Sequence, residues 1–132
     1  YVILMRDGKT LLSRRLNTGY EDGNYGLVAG HVEDNESVTQ AAIREAKEEA
    51  GVDIKPEDLK VVTTMHRRQD DIRVDFFFVA YAWEGEPTNM EPNVCSDLSW
   101  FPLDNLPANI IPYIKHALEC SQKGIIYSEW GW

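Results

Sequence analysis

The chain is short of cations. Its 13 lysines and arginines stand against 22 aspartates and glutamates, leaving a net charge of −9. A surface that holds a nucleic-acid polymer needs a basic footprint, so that class of partner is not expected. Small polyphosphates stay open, because metal cations can bridge two anions. Long apolar runs are also missing. No stretch reaches the ~20 residues of a membrane span, and the opening Tyr1-Val2-Ile3-Leu4-Met5 is too short for a secretory leader. The expectation is a cytoplasmic protein with no membrane partner. Cysteine is scarce, and Cys95 and Cys120 show no metal-binding spacing. A disulfide and a reduced cytosolic pair are both open, with the reduced pair favoured. There is no internal repeat and no low-complexity tract. What is present is an apolar fraction of 43% in 132 residues, enough for one domain over 1–132 with a core of its own. Tyr1 stands in what reads as a strand, so a few residues are expected upstream. Monomer and homodimer both stay open.

The chain is organised around Gly30 to Val52. Ser37 with Gln40 three residues later forms a capping box, and Gly51 suits a left-handed helix C-terminus, so a helix is predicted between them. Val38, Ala41, Ala42, Ala46 and Ala50 give it an apolar side. Glu45 is three and four residues from Glu48 and Glu49, which places the three carboxylates on one face. Two such charges about 6 Å apart repel by roughly 3 kcal/mol at an effective dielectric near 20. Arg44 offsets part of this through Glu48. A divalent cation would remove it, since hard ions take carboxylate oxygens and keep sites for phosphate. Taken alone, the run also fits a solvated Glu-rich face.

The spacing decides between these. Gly30, five residues, Glu36, seven residues, Arg44-Glu45-Ala46-Lys47-Glu48-Glu49-Ala50-Gly51-Val52 resembles the signature box of the Nudix hydrolases at each fixed position. Each fixed residue matches by chance on the order of one time in fifteen, so a full register is not coincidence. The resemblance implies a Nudix-type α/β/α sandwich with a mixed central sheet, and a metal-dependent hydrolase of a nucleoside diphosphate linked to another moiety. It implies Mg²⁺ (or Mn²⁺) held by Glu45, Glu48, Glu49 and the backbone carbonyl of Ala29. Catalysis would fall to Glu45 as first choice of base, with Arg44 and Glu48. Gly30, Glu36 and Gly51 read as structural, Gly30 through unusual torsions or close approach. Val28-Ala29 stand where many members have Pro-Gly, which implies a slightly altered loop with activity kept.

Along the chain, Tyr1 to Met5 and Thr10 to Arg14 flank an Asp7-Gly8 turn and predict a hairpin. Leu16 to Gly26 reads as a flexible loop; Arg14 and Arg15 lead into it, as phosphate or base contacts or as ordinary strand-end charges. Gly26 to Ala29 reads as a strand. Lys55 to Asp58 is a turn, Leu59 to His66 a strand, and Ile72 to Trp83 a central strand apolar on both faces. Glu84 to Asp97 reads as a long loop. Its Trp83-Glu84-Gly85-Glu86-Pro87, with Glu91 four residues past the proline, is similar to the antimutator nucleoside-triphosphatase branch, which implies Glu91 as a further metal ligand. Leu98 to Phe101 is a last strand. Ile110, Ile111, Ile114, Ala117 and Leu118 predict a second helix ending near Gly124. Pro107-Ala108-Asn109 resembles the same branch and implies that Asn109 reads a purine edge; Asn109 also suits the helix N-cap. His31 is either a phosphate contact or a partly exposed structural histidine. The aromatic tail Ser128 to Trp132 either packs on the sheet or flanks the pocket.

The resemblance to that branch implies a small-molecule nucleotide substrate: nucleoside triphosphates, oxidised purine dNTPs among them, cleaved to monophosphate and pyrophosphate. ADP-ribose, a dinucleoside polyphosphate or a nucleotide sugar is the alternative. A Nudix-fold module that binds without cleaving is a third class, and the intact Glu45, Glu48 and Glu49 weigh against it.

Overall fold

A computed structural model describes residues 1–132. The hairpin forms as expected: β1 (Val2–Arg6) and β2 (Lys9–Arg15) run antiparallel, with Arg6 opposite Lys9. Asp7 and Gly8 both take positive φ, 52° and 74°, the turn geometry whose twist matches paired strands. Next come β3 (Tyr25–Gly26), helix α1 (Val38–Ala50), a 3₁₀ turn (Pro56–Asp58), β4 (Lys60–Arg68) and β5 (Ile72–Ala80). The chain closes with β6 (Cys95–Pro102), α2 (Pro112–Lys123) and β7 (Tyr127–Trp130). One mixed sheet of seven strands results, ordered β3-β2-β1-β5-β4-β7 with β6 on β2. The β1–β5 and β4–β7 pairs are parallel and the others antiparallel.

Strand alternation sorts the core into two layers. Val2, Leu4, Phe78 and Ala80 face Ala42, Ala46 and Ala50 of α1. Ile3, Phe77 and Val79 face Tyr113, Ile114, Ala117 and Leu118 of α2. The fold is therefore α/β with a helix on each side of the sheet. β5 is covered on both faces from Phe77 to Ala80, where it is apolar throughout, while Ile72, Val74 and Phe76 on its first half stay exposed. The alanines of α1 are fully or nearly buried, and small side chains there let the helix lie close to the sheet.

Several boundaries differ from expectation, each because backbone pairing between distant segments settles it. The strand placed at Gly26 to Ala29 is only Tyr25–Gly26, and Val28 instead meets Val2 through a single bridge. β5 stops at Ala80, beyond which Glu84 pairs with Asp53. β6 begins at Cys95, inside the segment expected to be loop, because β2 pairs with it as far as Arg15 opposite Cys95. The N-cap of α2 is Ile111, not Asn109; Pro112, which lacks an N–H, occupies the first turn. The tail packs on the sheet: β7 extends the β4 edge, Trp130 joins the α2-side core, and Trp132 Nε1 donates to the His66 carbonyl at 3.0 Å.

Candidate active site

The loop and helix between Gly30 and Gly51 build the site. Ser37 Oγ accepts from the Gln40 N–H at 3.1 Å while Gln40 Oε1 accepts from the Ser37 N–H at 2.8 Å, so the capping box closes. Gly51 ends the helix at φ 72°, its N–H donating to Lys47. Arg44 is the hub between loop and helix. It donates to Glu36 at 2.7 and 2.9 Å, to Glu45 at 2.7 Å, to Glu48 at 3.2 Å and to the His31 carbonyl at 3.1 Å. The guanidinium, with the Glu33 N–H, holds the Glu36 carboxyl below the usual range. Glu36 and Arg44 thus fix where the helix carboxylates stand.

Gly30 acts by absence of a side chain. Its φ is not left-handed, so torsional freedom is not what the position uses. A Cβ there would lie 2.0 Å from Glu45 Oε1 and 2.7 Å from Glu45 Cγ. The Glu45 carboxylate therefore fills the space that any other residue at 30 would take. Glu49 turns inward and accepts from the Ala29 N–H at 3.0 Å. Burial first, then the charge of Glu45, raise the Glu49 carboxyl well above the usual range. The loop before β6 is fastened to the end of α1, with Thr88 donating to Ala50 at 2.9 Å and Met90 to Glu49 at 3.2 Å. That brings Glu91 close enough for Glu45 and Glu48, after burial, to raise its carboxyl as well. Glu45, Glu48, Glu49 and Glu91 thus form one electrostatic cluster. As the side chains stand, no three of them converge on a single coordination point. Their chemistry nevertheless fits a hard divalent cation: all are oxygen donors, and their mutual repulsion favours protons unless a cation replaces them.

Beside the cluster is a cavity of about 520 Å³, lined by Tyr1, Tyr20, Arg67, Gln69 and Tyr113 and reaching Ala29, Gly30 and His31. Arg15 lines it too, and also borders a smaller hollow of about 70 Å³ that contains Glu49 and Glu91. Arg15 therefore stands between cavity and carboxylates. Arg14 and Asn109 line neither; both donate to the Gly23 carbonyl, at 2.9 and 2.8 Å, and hold the loop over 16–24. Arg14 and Arg15 part because consecutive strand residues point to opposite faces. His31 lines the cavity with its ring against Arg73.

The sequence matches the NUDIX domain description over residues 1–119. The chain belongs to the Nudix hydrolase family, whose enzymes split phosphoric anhydrides. The crystal structure of a MutT NUDIX hydrolase from Burkholderia pseudomallei superposes with a TM-score of 0.82 at 31% identity, covering 89% of this chain and 92% of that one. The MutT protein of Methanosarcina mazei Go1 shares the fold, with a TM-score of 0.80 at 19% identity over 93% of this chain and 90% of that one. Among curated relatives, the NAD-capped RNA hydrolase NudC of Stutzerimonas stutzeri is 35% identical over 107 residues, 81% of this chain and 37% of its own length. The chain spans well under half of the curated NudC relatives it matches.

Within this Nudix fold, the residues that sequence reasoning missed are Tyr1, Tyr20, Arg67, Gln69, Asp75 and Tyr113 of the cavity. Arg67 Nε donates to Asp75 at 2.6 Å, and both side chains are 6% exposed. The guanidinium lies 4.1 Å from the Tyr113 ring centroid. Tyr1 and Tyr113 hydroxyls meet at 3.0 Å. Burial raises both phenols, and the Tyr20 phenol is pushed up to about 12, so all three are protonated at neutral pH. One signal was available: Arg67 and Asp75 are charges on the buried side of apolar strands, where a charge needs a partner. No helix is long and apolar enough to cross a membrane.

Proposed function

We propose that this Nudix chain is a divalent-metal-dependent pyrophosphohydrolase of nucleoside triphosphates, releasing nucleoside monophosphate and pyrophosphate. The observation that carries this is the junction at Arg15 and Gly30, where a nucleotide-sized cavity adjoins the four-carboxylate cluster. Glu45, Glu48, Glu49, Glu91 and the Ala29 carbonyl would hold Mg²⁺ or Mn²⁺. Such an ion neutralises phosphate charge and acidifies a water. Glu45, held by Arg44 and the gap at Gly30, takes the proton of the attacking water. Arg15 and His31 meet the phosphates. Arg14 and Asn109 act through the loop they fasten at Gly23. Two buried free cysteines support a reducing, cytoplasmic setting.

A second reading, cleavage of a dinucleotide such as NAD⁺, is favoured by the names of the curated relatives. The test is product analysis over canonical and oxidised dNTPs, ADP-ribose, dinucleoside polyphosphates, NAD⁺ and NAD-capped RNA, with Mg²⁺ and with Mn²⁺. Metal-dependent pyrophosphate release from triphosphates, abolished in Glu48→Gln, is expected. Glu45→Gln should lower turnover by about 10²–10⁴-fold with metal binding largely kept by Glu48, Glu49 and Glu91. Monophosphates from NAD⁺ without pyrophosphate from any triphosphate would replace the first reading by the second.

A further inference from the structure

Gln69 sits in the turn between β4 and β5 and lines the large cavity. Its Oε1 accepts from Arg67 Nη1 at 2.5 Å and from the Tyr20 hydroxyl at 2.8 Å. The amide orientation is forced. A guanidinium has donors only, so the atom facing Arg67 must be the oxygen. Arg67 cannot turn away, because Asp75 holds it at 2.6 Å in a buried pair beneath the Tyr113 ring. With both lone-pair directions of the oxygen occupied, flipping the amide would set N–H groups against the donors of Arg67. Gln69 is exposed where it lines the cavity and its Nε2 has no partner within the protein, so two N–H groups are open to a ligand in exchange for water. The Arg67–Asp75 pair, costly as a buried ion pair, gains a purpose: it fixes which face of Gln69 the cavity meets.

We infer that Gln69 reads the nucleobase edge as a hydrogen-bond donor and selects bases with an oxo group, at C6 of a purine or C4 of a pyrimidine, over those with an amino group in the same place. This rests on the reading of the cavity as a nucleotide site. A carbonyl oxygen completes the Gln69 N–H. An exocyclic amino group opposes donor to donor in place of that bond, and losing the bond to such a mismatch costs about tenfold in relative affinity. Asn109, the residue that sequence resemblance placed at the base edge, is engaged at the Gly23 carbonyl.

The experiment compares kcat/KM for two matched pairs, ITP with ATP and UTP with CTP, beside binding of IMP and AMP measured by NMR titration. Wild type is expected to prefer ITP, UTP and IMP by about tenfold. Gln69→Glu keeps an acceptor for Arg67 and Tyr20 but offers the ligand an acceptor, so it should favour ATP, CTP and AMP. Gln69→Leu, which offers neither, should bring the ratios near one. Equal kcat/KM within each pair in wild type, or ratios unchanged in both folded variants, would overturn the inference while leaving triphosphate hydrolysis standing. Absence of hydrolysis with IMP still preferred through Gln69 would overturn the proposed reaction and support the inference. No nucleotide binding at all would overturn both.

Discussion

The tightest contact of the site is a vacancy at Gly30, and filling it is the most discriminating perturbation. In Gly30→Ala the new methyl would stand 2.0 Å from Glu45 Oε1 and 2.1 Å from Cδ. Carbon needs roughly 3.5 Å, so the carboxylate must retreat by about 1.5 Å. The atoms displaced belong to a side chain, not to backbone, so the fold accommodates the change by a new Glu45 rotamer. Its hydrogen bond from Arg44 at 2.7 Å is then lost, a partly exposed contact, and the Tm should fall by no more than about 5 °C. Turnover should suffer far more, because a displacement of about 1 Å in a reacting group costs on the order of 10²-fold. The assay is kcat for the preferred nucleotide with saturating Mg²⁺, alongside thermal unfolding, for Gly30→Ala, Glu45→Ala and the double variant. Without a Glu45 side chain there is nothing to push, so Gly30→Ala should change kcat by less than about twofold in that background. A single Gly30→Ala variant within about twofold of wild type, or a double variant showing both losses multiplied, would refute the argument.

Removing Arg67 alone, as Arg67→Met, should destabilise by about 3–5 kcal/mol in denaturant melts, because Asp75 would be left buried without its partner; Arg67→Met with Asp75→Leu should regain most of that while losing base selectivity. Arg44→Lys keeps the charge but cannot span Glu36, Glu45 and Glu48 together, so kcat should drop about tenfold or more with little loss of Tm; an active Lys variant would mean Arg44 only supplies charge. Glu49 and Glu91 have raised folded-state values, so without metal the native state holds protons that the unfolded chain releases. Stability of the metal-free protein should therefore decline as pH rises from about 4.5, the ordinary glutamate value, toward about 9, the Glu49 value. Adding Mg²⁺ should flatten that decline. A metal-free Tm constant across this range would contradict the buried cluster.

The local signals proved sufficient wherever structure is made by near neighbours. Ser37, Gln40 and Gly51 bound α1 because capping bonds span three or four residues. Asp7-Gly8 turned the first hairpin for the same reason, and the two-faced apolar run of β5 announced a helix on each side. The box fixed the family and the face shared by Glu45, Glu48 and Glu49. Contacts between distant segments were decided only by the tertiary structure. β6 gained its first residues from pairing with β2, some 80 positions earlier, and β7 exists because the β4 edge was free to accept it. Asn109 and Arg14 were claimed by one carbonyl, that of Gly23, which nothing in their own surroundings reveals. Gly30 has a residue-specific reason that appears only once Glu45 is seen to occupy its missing side chain's place. The cavity shows this most fully. Tyr1, Tyr20, Arg67, Gln69 and Tyr113 come from the two ends and the middle of the chain, and hydrogen bonding among them, which has no sequence period, sets how the Gln69 amide stands at the cavity.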